Sequence, residues 1–87
     1  MKITRSTRKG KKWVAEFKDG TKTHFGATGY TDYTLGSSDE QRKSYIARHS
    51  KEDHTDPKKA GTLSRFILWE HKSMEKAIRE YKKKFGL

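Results

Sequence analysis

Apolar positions change their period as the chain proceeds, and each change predicts an element. In KKWVAEF, residues 11–17, Trp13, Ala15 and Phe17 alternate with polar neighbours, the period of a half-buried strand. Asp19-Gly20 marks a turn, so residues 12–26 read as a β-hairpin. Side-chain pairing selects the loop length. A two-residue loop would oppose Phe17 to Lys22 and Ala15 to His24, mixing polar groups into the apolar face. A three-residue loop, Lys18-Asp19-Gly20, opposes Phe17 to Thr21, Trp13 to Phe25 and Glu16 to Lys22. Aromatic and opposite-charge cross-strand pairs each contribute ~0.2–1 kcal/mol, so the three-residue loop is expected. Gly20 is then left-handed in a bulge. Residues 2–6, KITRS, can supply a third strand.

After the hairpin the period is lost. Residues 26–36, GATGYTDYTLG, read as a loop in which Gly26, Gly29 and Gly36 permit unusual backbone angles. Tyr30 and Tyr33 either stack on a partner's bases or pin the loop to the core; pinning is the commoner fate. Helical periodicity starts near Ser37, where Ser37 and Glu40 match a capping box, and runs to about Ser50. Arg42, Tyr45, Ile46 and His49 share one face of it. Residues 51–61 form a turn-rich linker around the only proline, with Asp56 biased out of helix before it. A second helix opens at Gly61 or Thr62 and covers TLSRFILWEH. Leu63, Phe66, Ile67, Leu68 and Trp69 make it apolar on most sides, as befits a central core element. Ser73 caps a third helix, MEKAIREYKKKF, with Met74, Ile78, Tyr81 and Phe85 inward and Gly86 at its end. The expected fold class is α+β: an N-terminal antiparallel β-hairpin or three-stranded sheet followed by three helices.

Composition sharpens this outline. The 87 residues form one small basic domain, residues 1–87, with residues 1–11 as a flexible basic arm if they do not pair with the hairpin. Only 30% of residues are hydrophobic and 37% are charged, a balance that leans toward disorder; the many large aromatic rings offset it. The chain has no cysteine, which excludes disulfides and thiolate metal sites. MKITRSTRKGKK lacks an apolar stretch, so no secretory signal is expected, and no segment approaches the ~20 apolar residues of a membrane span.

Charge carries the functional signal. Twenty-one Lys and Arg stand against 11 Asp and Glu, a formal net charge of +10. Such a field attracts polyanions and does nothing for folding. Basic side chains interleave with aromatics, a pattern suited to binding the phosphate backbone with little base readout. The candidate nucleic-acid-binding residues are Arg5, Arg8, Lys9, Lys11 and Lys12 in the arm and first strand, and Lys18 and Lys22 in the hairpin. Arg42, Lys43 and Arg48 follow on the first helix, and Lys82, Lys83 and Lys84 at the end of the third, where a helix also favours cations. The expected partner is nucleic acid, DNA over RNA, with no membrane contact.

Other chemistry is poorly supported. His49 and His54 have a spacing seen in zinc sites, with Asp53 and Asp56 nearby. A zinc site needs three or four convergent ligands, and helical geometry ends between these two, so no metal is assigned. A His-Asn-His nuclease would need an asparagine, and the chain has none. No nucleophile motif, Gly-x-Gly-x-x-Gly or P-loop is present, so neither a catalytic residue nor a cofactor is expected. Gly26-x-x-Gly29 resembles the backbone clamp of KH domains only superficially. Glu70-His71-Lys72 gives helix-turn-helix spacing, with Lys76, Arg79, Lys82 and Lys83 on a recognition helix. Glu75 and Glu80 would face phosphates there, which favours plain antiparallel packing. The expectation is a non-enzymatic nucleic-acid-binding protein. The alternatives are a virion module docking an acidic viral or host protein, and a small metal-dependent nuclease.

Several separate segments also match a known pattern: Phe25-Gly26, Tyr30-x-Asp32-Tyr33-Thr34, Arg42-Lys43-x-Tyr45-x-x-Arg48-His49 (one residue shorter than the family's Arg-Lys-x-x-Tyr-x-x-Arg-His), Asp56-Pro57, Ala60-Gly61 and Ser64-Arg65-x-x-Leu68-Trp69. In these the chain resembles a family of short basic proteins encoded by large double-stranded DNA viruses and some phages. Members commonly carry His after Tyr-Thr, where this chain has Leu35-Gly36-Ser37. The family has no assigned activity, so the resemblance implies a viral setting and not a mechanism. That setting suits genome packaging or condensation, in the virion or the host nucleus or cytoplasm. Within the shared segments, Asp32 is expected to cap a turn or to anchor an arginine such as Arg48. Arg65, on an apolar helix, needs a carboxylate, with Asp32 or Asp56 in reach.

Overall fold

The alternating segment forms the hairpin that its side-chain pairing requires. In the computed structural model, which describes residues 1–87, β2 (Lys11–Glu16) and β3 (Lys22–Ala27) pair antiparallel. Trp13 faces Phe25 and Glu16 faces Lys22. The Phe17 N–H donates to the Thr21 carbonyl at 2.9 Å and the Gly20 N–H to the Phe17 carbonyl at 2.9 Å, closing the three-residue loop. Gly20 sits at φ +88°, the left-handed region this loop requires. Of the two readings of the N-terminus, the strand holds. β1 (Lys2–Arg5) pairs with the other edge of β2, Ile3 opposite Ala15 and Arg5 opposite Trp13. The sheet order is β1-β2-β3, and residues 6–10 turn the chain between the first two strands.

Three helices follow, as the pattern predicted. α1 spans Asp39–Arg48 and α3 spans Met74–Phe85. Between them α2 (Ala60–Leu63) runs directly into a wider π-helical segment, Ser64–Leu68. This central helix explains the core. Leu63, Ile67 and Leu68 are buried against Ala15, Phe17 and Phe25 of the sheet and against Ala77 and Tyr81 of α3. Phe66 points elsewhere, meeting Phe85 edge-on at 6.2 Å between ring centroids. An apolar run of four consecutive residues thus serves several neighbours at once. Ser73 caps α3, accepting from the Lys76 N–H at 3.2 Å, and Gly86 ends it at φ +67°. The Tyr81 hydroxyl donates to the Pro57 carbonyl at 2.6 Å, tying α3 to the linker.

α1 starts one residue later than the capping pattern suggested. Ser37 is buried in the preceding loop, its N–H donating to the Asp32 carbonyl at 3.1 Å and its hydroxyl to Thr31 Oγ1 at 2.9 Å. Ser38 therefore takes the cap, with Gln41 completing the reciprocal box. No residue of α1 is fully buried. Arg42, Tyr45 and Ile46 are its half-buried positions, continued by the C-cap His49, the face expected from periodicity. No helix is long and apolar enough to cross a membrane.

Candidate nucleic-acid interface

The loop after β3 is organised around one buried carboxylate. Asp32, 1% exposed, caps the 3-10 turn Tyr33–Leu35, accepting from the Thr34 N–H at 2.9 Å and from the Thr34 hydroxyl. Its second oxygen accepts from Lys12 Nζ at 2.7 Å. The capping role matches expectation, but the cationic partner is Lys12 of β2 and not Arg48. Gly26, at φ +79°, makes room for this: a Cβ there would lie 3.4 Å from Lys12 Cβ and 3.0 Å from Leu68 Cδ1. Arg65 likewise departs from expectation, pairing with Glu70 at the end of its own helix rather than with Asp32 or Asp56.

Beside this loop lies an open cleft of about 390 Å³, between the β2–β3 end of the sheet and the face formed by α1 and the π-helical segment. Lys11, Tyr30, Arg48, His49, Leu68 and Trp69 are among its lining residues. Tyr30 is 74% exposed on a loop whose neighbours Thr31 and Asp32 are fixed. Tyr33, by contrast, is held: its hydroxyl donates to Asp39 at 2.5 Å, and Arg42 and Lys72 lie over its ring. The two tyrosines thus divide the two fates, Tyr33 pinned and Tyr30 presented. On the far wall Tyr45 stacks on Trp69, 4.5 Å between centroids and 8° from parallel, and His49 lies 4.3 Å from Tyr45. The π-helical segment ends at Trp69, whose carbonyl accepts from Arg42 Nε at 2.7 Å.

Electrostatics within the cleft favour an anion at its rim. Of its two carboxylates, Asp32 is neutralised by Lys12, while Glu52 is hydrogen-bonded to His49. Lys11 and Arg48 make no ion pair. A second hollow continues from Tyr30, Arg48 and Trp69 along α1 past Gln41 and Ser44.

The other candidate residues fall into three groups. Arg8, Lys11 and Lys22 surround His24, which shares a 2.6 Å hydrogen bond with Ser6. Desolvation and then these three cations hold the His24 imidazolium below the usual histidine range. Lys9 is exposed in the adjoining turn, Arg5 lies over the Trp13 ring at 5.3 Å, and Lys43 is exposed on α1. A second basic end has Lys18 at the hairpin tip beside Lys58, itself paired with Asp19, where the chain termini and Gly86 also meet. Lys82, Lys83 and Lys84 precede that glycine, and Lys84 leans 4.9 Å over the Phe66 ring. Along β2 the two ends stand about 20 Å apart at ~3.3 Å per residue. The third group is spent internally, Lys12 on Asp32 and Arg42 on Trp69 and Glu70; Lys22, of the first group, also lies 3.9 Å from Glu16. Trp69, read from sequence as part of the core element, does pack against the core but is only partly buried and also lines the cleft, which pattern alone did not show. The stripe Arg42-Tyr45-His49, which needs a cover, was the signal that pointed to it.

Glu52 lies between His49 and His54, 3.8 Å from His54 Nε2, and no group of three or more His, Asp and Glu is placed to hold a metal ion. Fold and site together define a small basic α+β domain with an aromatic-walled, cation-rimmed cleft. The chain belongs to a family of unknown function, DUF5754, which matches residues 1–49, the sheet, the loop and α1 through its C-cap. No curated protein and no solved structure matches it.

Proposed function

We propose that the protein binds nucleic acid, DNA in preference to RNA, by neutralising phosphates with little sequence preference. The supporting observation is the fate of the cations. Six of the 21 Lys and Arg meet a carboxylate within 4.0 Å, and the rest face solvent without one. Folding alone gives no reason to keep so much uncompensated charge, because self-repulsion destabilises a compact body. The resemblance to proteins of double-stranded DNA viruses supports a role in packaging or condensing a viral genome, in the virion or the infected cell. A gel-shift series in rising salt tests the reading. With about six phosphates neutralised on duplex DNA, log affinity falls against log salt with a slope of roughly −5. A flat response overturns it.

A further inference from the structure

We propose that the cleft between the sheet and α1 receives an unpaired base of a single nucleic-acid strand, stacked on Tyr30, with the flanking phosphates on Lys11 and Arg48. The inference rests on the nucleic-acid reading and goes further, because it names the form of the strand. At about 390 Å³ the cleft is within the roughly 300–1,000 Å³ of small-ligand sites, enough for a nucleoside but not for the edge of a duplex. A base in a duplex is already stacked on both faces, whereas an unpaired one has a π-face to offer.

The side chains are arranged for that exchange. Tyr30 exposes its ring, yet its loop is fixed by buried Asp32, so stacking orders little of the protein that is not ordered already. Trp69, backed by Tyr45, supplies an aromatic wall across the cleft. Lys11 and Arg48 are the rim cations without carboxylate partners; of the two carboxylates in the cleft, Asp32 is neutralised by Lys12, which leaves Glu52 against the two free cations. Aromatic surface between cations is how proteins hold a single strand without reading its sequence.

The test uses the full chain carrying Trp13→Phe, so that Trp69 is the one remaining tryptophan. Four probes are titrated at one salt concentration: an oligothymidylate, an oligouridylate, a duplex of equal length, and a strand of abasic sites. A base in the cleft quenches Trp69 emission with the first two probes and not with the others. Adding Tyr30→Ala weakens either base-bearing strand about tenfold, the loss of one stacked base, while Tyr30→Phe retains affinity. Duplex and abasic strand bind both variants alike. Because Tyr30 is exposed, the circular dichroism spectrum of the alanine variant stays that of the parent. Trp69 silent and Tyr30→Ala without effect, with strands still bound, overturns the cleft reading and leaves phosphate binding standing. No binding of any probe overturns both.

Discussion

Two adjacent lysines show how little residue type says about role. Lys11 and Lys12 are the same residue type, successive in β2, and both border the cleft, yet they end differently. Lys11 reaches the cleft rim with no carboxylate partner. Lys12 crosses the glycine at 26 and ends on Asp32, its side chain 14% exposed and that of Asp32 2%. Lys12→Ala strands a buried carboxylate and costs about 3 kcal/mol in urea unfolding. Lys11→Ala changes stability by no more than about 0.5 kcal/mol but lowers the salt slope of DNA binding by roughly 1. Equal unfolding midpoints for the two variants would refute the assignment. The Lys12 partner was not legible in the sequence, because it depends on where a glycine-rich loop returns.

Among the elements, the hairpin was fully legible because its register follows from local pairing: one loop length puts aromatics together and opposite charges together, and the other does not. The start of α1 was legible only to within one residue. Ser37-x-x-Glu40 and Ser38-x-x-Gln41 both satisfy the capping box, and the decision falls to the loop, which uses Ser37 for itself. The widening of the central helix over Ser64–Leu68 leaves no local signature, since it answers to the sheet and α3 at once. α1 is attached chiefly through Trp69 and Glu70, where Arg42 and Arg65 meet one carboxylate. Burial alone would raise the Glu70 carboxyl, but the hydrogen bond from Arg65 and the charges of Arg65 and Arg42 outweigh it and hold the group below the ordinary carboxylate range. A depressed folded-state value means this contribution is present above the unfolded pKa and is lost as pH falls through the folded one. Thermal unfolding should therefore separate wild type from Glu70→Gln at neutral pH, with the gap closing in acid below about pH 4. A gap independent of pH would show that Glu70 acts by shape and not by charge.

At the scale of the molecule, net charge was plain from the sequence, but its layout was not. The structure gathers Arg8, Lys11 and Lys22 around His24 and withdraws Lys12 and Arg42 into ion pairs, a sorting that composition cannot foresee. His24 reports on that field. Desolvation is the larger cause of its depression, and the three cations add to it; if phosphates neutralise those cations, its pKa rises on binding and the complex takes up a proton. Affinity then increases as pH falls through the bound value toward the lower free one. Histidine ring resonances followed through a pH titration, with and without oligonucleotide, check this; an unchanged His24 midpoint would place the strand elsewhere. The second basic end, at the hairpin tip and the close of α3, lies well away from the cleft. If both ends take phosphate as proposed, a body with a grip at each pole would be a tie before a coat: when scarce it would draw separate strands together, and when abundant each strand would collect its own copies and the ties let go.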